Sequence, residues 1–272
     1  MKTRCISKDM MDIVDIWKNQ FPSYNVYFHD DSAVDALFYD SGNYWSDIFP
    51  QLQQLMTSCV KYGSAMKIDI WRVLILYRYG GIYSDIDNAP GPKLTEFTIE
   101  KNASAFFLSD GWDRPSHWLH GMEPNHPISF HTMLVIFENL LKLTNVSKVR
   151  LVHVTGPEAL RQGYTTAIST GENDLRKPYQ EKLVYKFAYR DYVYQNNNEK
   201  VPYSSIMNSN SNDNSNTTTT TMITKKERIQ IEMNISHWTK IVYKAVDIPT
   251  GMCIDYIYEN ALKHQLERQY AK

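Results

Sequence analysis

Cysteine is scarce in this chain: Cys5, Cys59 and Cys253 are its three, and none stands in a Cys-x-x-Cys or Cys/His metal spacing. Neither a disulfide framework nor a zinc site is indicated, and a single bridge such as Cys5–Cys253 stays open. Long apolar runs are missing as well. No stretch approaches the roughly 18 consecutive apolar residues of a membrane helix, and the N-terminus lacks the charged-then-apolar order of a signal peptide. The sequence as written therefore reads as a soluble chain. An excess of one charge is also lacking, with a formal net charge of -1 and a pI near 6.7. That balance excludes the basic footprint a phosphate backbone requires, so nucleic acid is not the expected partner. No internal repeat is visible.

What is present suffices for a sizeable core. The 272 residues are 43% hydrophobic and 13% aromatic, enough for one large globular domain. Strand and helix signals alternate. "YNVYFHDD" from Tyr24 predicts a strand, Ser32 to Tyr39 a short helix behind a Ser cap, and Asp47 to Tyr62 another helix. The clearest element is "SAMKIDIWRVLILYRYGG": Ser64 can cap it, apolar residues cover almost every face, and Gly80-Gly81 stop it. "GIYSDID" then predicts a strand ending in the turn "NAPGP", and "SAFFLSD" from Ser104 a second buried strand. Helical periodicity returns from His126, and Thr155 opens a helix with Pro157 in its first turn. The expected sheet is covered on both sides. Composition breaks once, at about 195–227, where Asn, Ser and Thr dominate and predict a disordered low-complexity insertion within a single domain spanning 1–272.

The chemistry-bearing stretch is "GGIYSDID". In an extended segment residues i and i+2 project to one side, so Asp85 and Asp87 converge at the strand end. Two adjacent carboxylates repel unless a cation lies between them, and Mg²⁺ or Mn²⁺ held by one or two carboxylates keeps positions open for phosphate oxygens. A bare Asp-x-Asp is equally a turn signal. A calcium loop fails on its own count: Asp85, Asp87 and Glu96 fit positions 1, 3 and 12, but Ala89 stands at 5 and Pro90 replaces the glycine at 6. On the preceding helix Ala65, Asp69, Arg72 and Leu76 share one stripe, placing a carboxylate and a guanidinium within an apolar helix. Such a pair is either a structural ion pair or a device that hydrogen-bonds a ribose and forks a phosphate.

The combined pattern of Ala65, Asp69, Arg72, Leu76, Gly80, Gly81, Tyr83, Asp85 and Asp87 resembles glycosyltransferase family 32, the group of fungal mannosyltransferases and inositol-phosphoceramide mannosyltransferases. "SYNVYFHDD", "EPNHPI" at Glu123 to Ile128 and "VTGPEAL" at Val154 to Leu160 are similar to further segments of that family. The resemblance implies an α/β fold of the GT-A, nucleotide-diphospho-sugar transferase type, a Rossmann-like mixed sheet flanked by helices and here lacking the first strand. It implies a retaining transfer of a hexosyl group, mannosyl above all, from GDP-mannose or a UDP-hexose to a glycan or glycolipid acceptor, with Mn²⁺ or Mg²⁺ as cofactor. Residue by residue it makes Asp85 and Asp87 catalytic. Asp69, Arg72, Tyr83, Asp85, Ser236 and Trp238 become donor contacts, and Asp87 and His237 metal ligands. Asp110, Asp113 and His120, in "LSDGWDRPSHWLHG", are the expected acceptor contacts, against the reading of that stretch as a polar loop. The implied location is the lumenal side of the Golgi or secretory-pathway membrane, with membrane association only through an N-terminal anchor missing from this sequence. Triplets for N-glycosylation at Asn102, Asn145, Asn216 and Asn234 add little to that in so Asn-rich a chain. A nucleotide-sugar-binding protein without turnover and a protein-modifying glucosyltransferase are the alternatives.

Overall fold

The computed structural model describes residues 8–39, 44–60, 64–99, 103–109, 114–143, 151–169, 184–188, 200–206 and 218–224. The architecture is mixed α/β. Helix α1 (Lys8–Gln20) leads to α2 (Asp31–Tyr39), α3 (Tyr44–Ile48), α4 (Leu52–Ser58) and α5 (Ser64–Tyr79). Strands β1 (Gly81–Ser84), β2 (Ala105–Ser109) and β3 (Pro115–Met122) follow. Then come α6 (Pro127–Leu141), α7 (Leu151–Val154), α8 (Pro157–Ser169) and β4 (Val184–Ala188), and finally β5 (Lys200–Ile206) and β6 (Thr218–Thr224). The main sheet runs β1-β3-β2-β4; β3 is antiparallel to both neighbours, and β4 is parallel to β2.

Helix α5 is largely buried, through Met66, Ile70, Trp71, Val73, Leu74, Leu76 and Tyr77, as apolar residues on almost every face require. It stops where expected, because Gly80 (φ 66°) and Gly81 (φ 98°) take the left-handed backbone that glycine alone adopts cheaply. A Cβ at Gly80 would lie 2.6 Å from Pro124 Cδ and 2.8 Å from its backbone nitrogen. The helix end is thus locked against the β3–α6 connection, where Asn125 N donates to Tyr77 O at 2.6 Å. On one sheet face Ala105, Phe107 and Met122 pack with Leu76, Ile128, Leu160 and Ala167 of α5, α6 and α8. On the other, Phe106, Leu108 and Leu119 meet Phe21, Leu94 and Trp17. Both faces are covered, the second by the end of α1 and a loop. A larger helical core, including Leu37, Trp45, Leu55, Leu74, Ile136 and Leu140, lies alongside.

Several sequence expectations are corrected. Residues 24–30 carry no strand, and Tyr24, Val26, Tyr27 and Phe28 are exposed, so the aromatic content that signalled a strand lies at the surface. Helix α2 is capped by Asp30, whose Oδ1 accepts from Ala33 N at 2.9 Å, and not by Ser32. The helix expected over 47–62 is two, α3 and α4, because proline at 50 lacks the N–H and clashes with the preceding turn. Pro115–Met122, almost all within the stretch whose alternative reading is a polar loop, forms β3: proline is tolerated at a strand's first residue, and Ser116, His117 and His120 turn inward. Within the segment expected to be disordered, β5 and β6 pair antiparallel from Lys200↔Thr224 to Ile206↔Thr218. Threonine counts as polar in composition, yet its branched Cβ favours extended backbone. Cys59 is disulfide-bonded; the chain's other cysteines, Cys5 and Cys253, lie outside the described residues.

Candidate functional site

The site is assembled where α5 crosses the ends of β1 and β3. Asp69 and Arg72 lie one turn apart on α5, and Asp85 follows β1 directly, its N–H donating to Trp118 O at 2.8 Å so that the ladder continues one residue past the strand. The chain then turns, with Asn88 N donating to Asp85 O at 3.0 Å. Asp85 and Asp87 are therefore brought together by a four-residue turn and not by strand alternation. Ser84 Oγ donates to Asp85 O (3.0 Å) and Asn88 O (3.2 Å), and Trp17 Nε1 donates to Asn88 O at 2.9 Å. With the turn carbonyls held in this way, both aspartate side chains remain partly exposed.

Arg72 sits beneath them. Its Nη1 donates to His117 O at 2.5 Å and lies 3.3 Å from Asp85 Oδ1, its Nη2 lies 3.4 Å from Asp69 Oδ1, and its Nε reaches Ile68 O at 3.4 Å. The Tyr83 ring covers one face of the guanidinium at 4.7 Å. Burial opposes the Arg72 charge, but Tyr83, Asp85, Asp69 and Asp87 together raise its pKa further, so the guanidinium is permanently charged. Tyr83 Oη donates to Asp85 Oδ1 at 2.6 Å. Burial pushes the Tyr83 phenol well up, and it stays protonated.

The two carboxylates on either side of Arg72 behave differently. Burial raises Asp85, the Asp87 charge adds to that rise, and Arg72 and Tyr83 only partly offset it. Burial acts on Asp69 too, but the His117 ring at 3.4 Å, the Arg72 charge and the Thr155 hydroxyl outweigh it and hold the carboxyl below its ordinary value. Thr155 Oγ1 donates to Asp69 Oδ2 at 2.8 Å, and His117 Nδ1 lies 3.4 Å from Asp69 Oδ1. His117 is lowered by burial and by Arg72 against the pull of Asp69, so the ring is neutral at physiological pH.

Asp69, Arg72, Tyr83 and Asp85 are thus brought into one cluster with Asp87 beside it. His120, expected as an acceptor contact, is fully buried in mid-β3, paired with both Tyr83 and Phe107 and stacked on Phe107 at 5.9 Å and on His117 at 5.8 Å. Burial, with His117 and Arg72 nearby, pushes its pKa well down. Asp110, Asp113, Ser236, His237 and Trp238 lie outside the described residues. Sequence reasoning missed His117 and Thr155 as members of the cluster. Thr155 stood in the "VTGPEAL" segment, whereas His117 gave no signal.

Among the described residues no three His, Cys, Asp or Glu side chains gather to hold a metal. Two carboxylates do fit a hard cation that keeps most of its positions for other oxygens, because a charge between Asp85 and Asp87 offsets both the burial and the Asp87 repulsion that raise Asp85.

Residues 7–104 match a family model described as "Glycosyltransferase sugar-binding region containing DXD motif". That span takes in α1 to β1 and the Asp85–Asp87 turn. No curated protein matches. A solved structure, "PaToxG Glycosyltransferase", is similar at 18% identity with a TM-score of 0.42, covering 62% of this chain and 66% of that one. The chain thus spans just under two thirds of that structure's length. Among the described residues no helix is long and apolar enough to cross a membrane.

Proposed function

We propose that this protein is a retaining glycosyltransferase that moves a hexosyl group, mannosyl first among the candidates, from a nucleotide-diphosphate sugar to a glycan or glycolipid hydroxyl. One observation carries the reading: the segment that matches a DXD sugar-binding region folds so that Asp69, Arg72 and Asp85 form one partly buried charge cluster, with Asp87 turned beside it. A purely structural ion pair would need no second carboxylate, and the cost of holding Asp85 ionised there points to use.

Asp85 and Asp87 would hold Mg²⁺ or Mn²⁺, which on binding supplies positive charge for the departing diphosphate. Asp69 would accept hydrogen bonds from donor hydroxyls, as an ionised carboxylate with little solvent around it does strongly. Arg72, whose nitrogens face protein acceptors, serves by fixing both aspartates. Tyr83 fixes Asp85 by its hydroxyl and screens the guanidinium from water with its ring. Retention needs no protein nucleophile when the leaving diphosphate and the acceptor hydroxyl share one face of the sugar. Asp110 and Asp113 remain proposed for the acceptor, Ser236 and Trp238 for the donor, and His237 for the metal. The finer architecture proposed is GT-A, and the Cys59 disulfide supports an oxidising compartment such as the secretory lumen.

Hydrolysis of GDP-mannose and a panel of UDP-sugars, with Mn²⁺ and with chelator, tests this. Turnover of one donor that stops with chelator is the expected result. Tight, metal-dependent binding without turnover would favour a binding-only protein, and no binding of any donor would overturn the reading.

A further inference from the structure

Asp69 draws partners from three parts of the molecule, and its two oxygens are held separately. Oδ1 faces Arg72 Nη2 of its own helix and His117 Nδ1 of β3, both at 3.4 Å. Oδ2 accepts from Thr155 Oγ1 at 2.8 Å, the shortest contact of the set and one that joins residues 86 apart in sequence. Thr155 is completely buried.

Thr155 stands one residue before the cap position of α8, which Gly156 occupies, so its hydroxyl is not the helix's cap. Thr155 N and Gly156 N both close α7 onto Leu151 O at 3.1 Å, Gly156 O accepts from Leu160 N at 3.2 Å, and Pro157 brings no N–H to the first helical position. The Thr155 hydroxyl instead faces Asp69 of α5. Arg72 alone could not fix Asp69, because it is shared with Asp85 and with His117 O.

We propose that Thr155 is a positioning residue of this site, its hydroxyl fixing the Asp69 carboxylate in the orientation that receives the donor. The proposal deepens the glycosyltransferase reading and rests on it for the ligand class. Without that donor, Oδ2 would lose its hydrogen bond inside the protein and the carboxylate would swing towards Arg72. The other charged and titratable groups that face Asp69 are Arg72 on α5 and His117 on β3, with Tyr83 of β1 and Asp85 beyond Arg72.

The test compares wild type, Thr155→Val, which keeps the shape and removes the hydroxyl, and Thr155→Ser, which restores the hydroxyl without the methyl group. One arm follows the Asp69 carboxyl by ¹³C-detected titration of the metal-free protein. Its midpoint should move up in Thr155→Val and return in Thr155→Ser. The second arm measures kinetics with whichever of GDP-mannose or the UDP-sugars the wild type turns over with Mn²⁺. There KM for the donor should rise about tenfold with kcat within about twofold, and Thr155→Ser should recover it. An unmoved Asp69 midpoint in folded Thr155→Val, or a Thr155→Ser as impaired as Thr155→Val, overturns the proposal. If no donor is turned over by wild type, the glycosyltransferase reading fails and the titration alone decides whether Thr155 holds Asp69. Should valine prevent folding, Thr155→Ala answers the same question.

Discussion

At Asp69 a helix, a central strand and a helix corner meet on one carboxylate, and its ionisation is tied to the fold. Because its folded pKa lies below the ordinary value, ionised Asp69 contributes stability that is present above the ordinary carboxylate pKa. That contribution is lost as pH falls through the lower folded value. Asp69→Asn should therefore cost about 2–3 kcal/mol near pH 7, with the gap to wild type closing in acid, as read by urea unfolding at a series of pH values. A gap independent of pH would show that packing and not charge holds the site. The Asp69/Arg72 pairing was legible because it depends only on helical spacing. Thr155 and His117 were not, since their contacts depend on strand order and on how α8 docks.

At the scale of elements, α5 carries the site and Gly80 fixes where it ends. Alanine there would adopt a left-handed backbone and press its Cβ against the Pro124 ring. Gly80→Ala should destabilise the protein by about 2–4 kcal/mol, seen as a lower denaturation midpoint at unchanged slope. A loss within about 0.5 kcal/mol would mean that the helix end has room to relax. Helix α5, by its apolar content and its glycine stop, α6, by its periodicity, and α8, by its first-turn proline, were readable from the sequence together with β1 and β2. Strand β3 was hidden by its buried Ser116, His117 and His120, which break the alternation a strand ordinarily shows. Its Gly121 is needed because a Cβ would lie 2.3 Å from the Phe106 ring. The helix over 47–62 was misjudged because apolar periodicity outweighed a proline that physically interrupts it.

At the scale of the whole molecule, the sheet separates two packed layers, and the cluster lies where the helical layer meets the strand ends. Three cysteines indicate no disulfide framework but leave a single bridge open, and Cys59 is buried and bonded. Reduction, or Cys59→Ser, should cost about 2–4 kcal/mol of stability, measured by thermal unfolding with and without a thiol reductant. An unchanged transition would remove the support that the bridge lends to an oxidising compartment.

The central claim rests on the acidic turn. The most direct measurement is Mn²⁺-dependent turnover of the preferred nucleotide sugar by wild type and Asp87→Ala side by side, with the melting temperature of each metal-free protein. Asp87 is partly exposed, so turnover should vanish while the melting temperature stays within about 2 °C. Turnover that survives in Asp87→Ala, or a melting temperature that falls by many degrees, would contradict a metal-binding role and return the turn to a structural one.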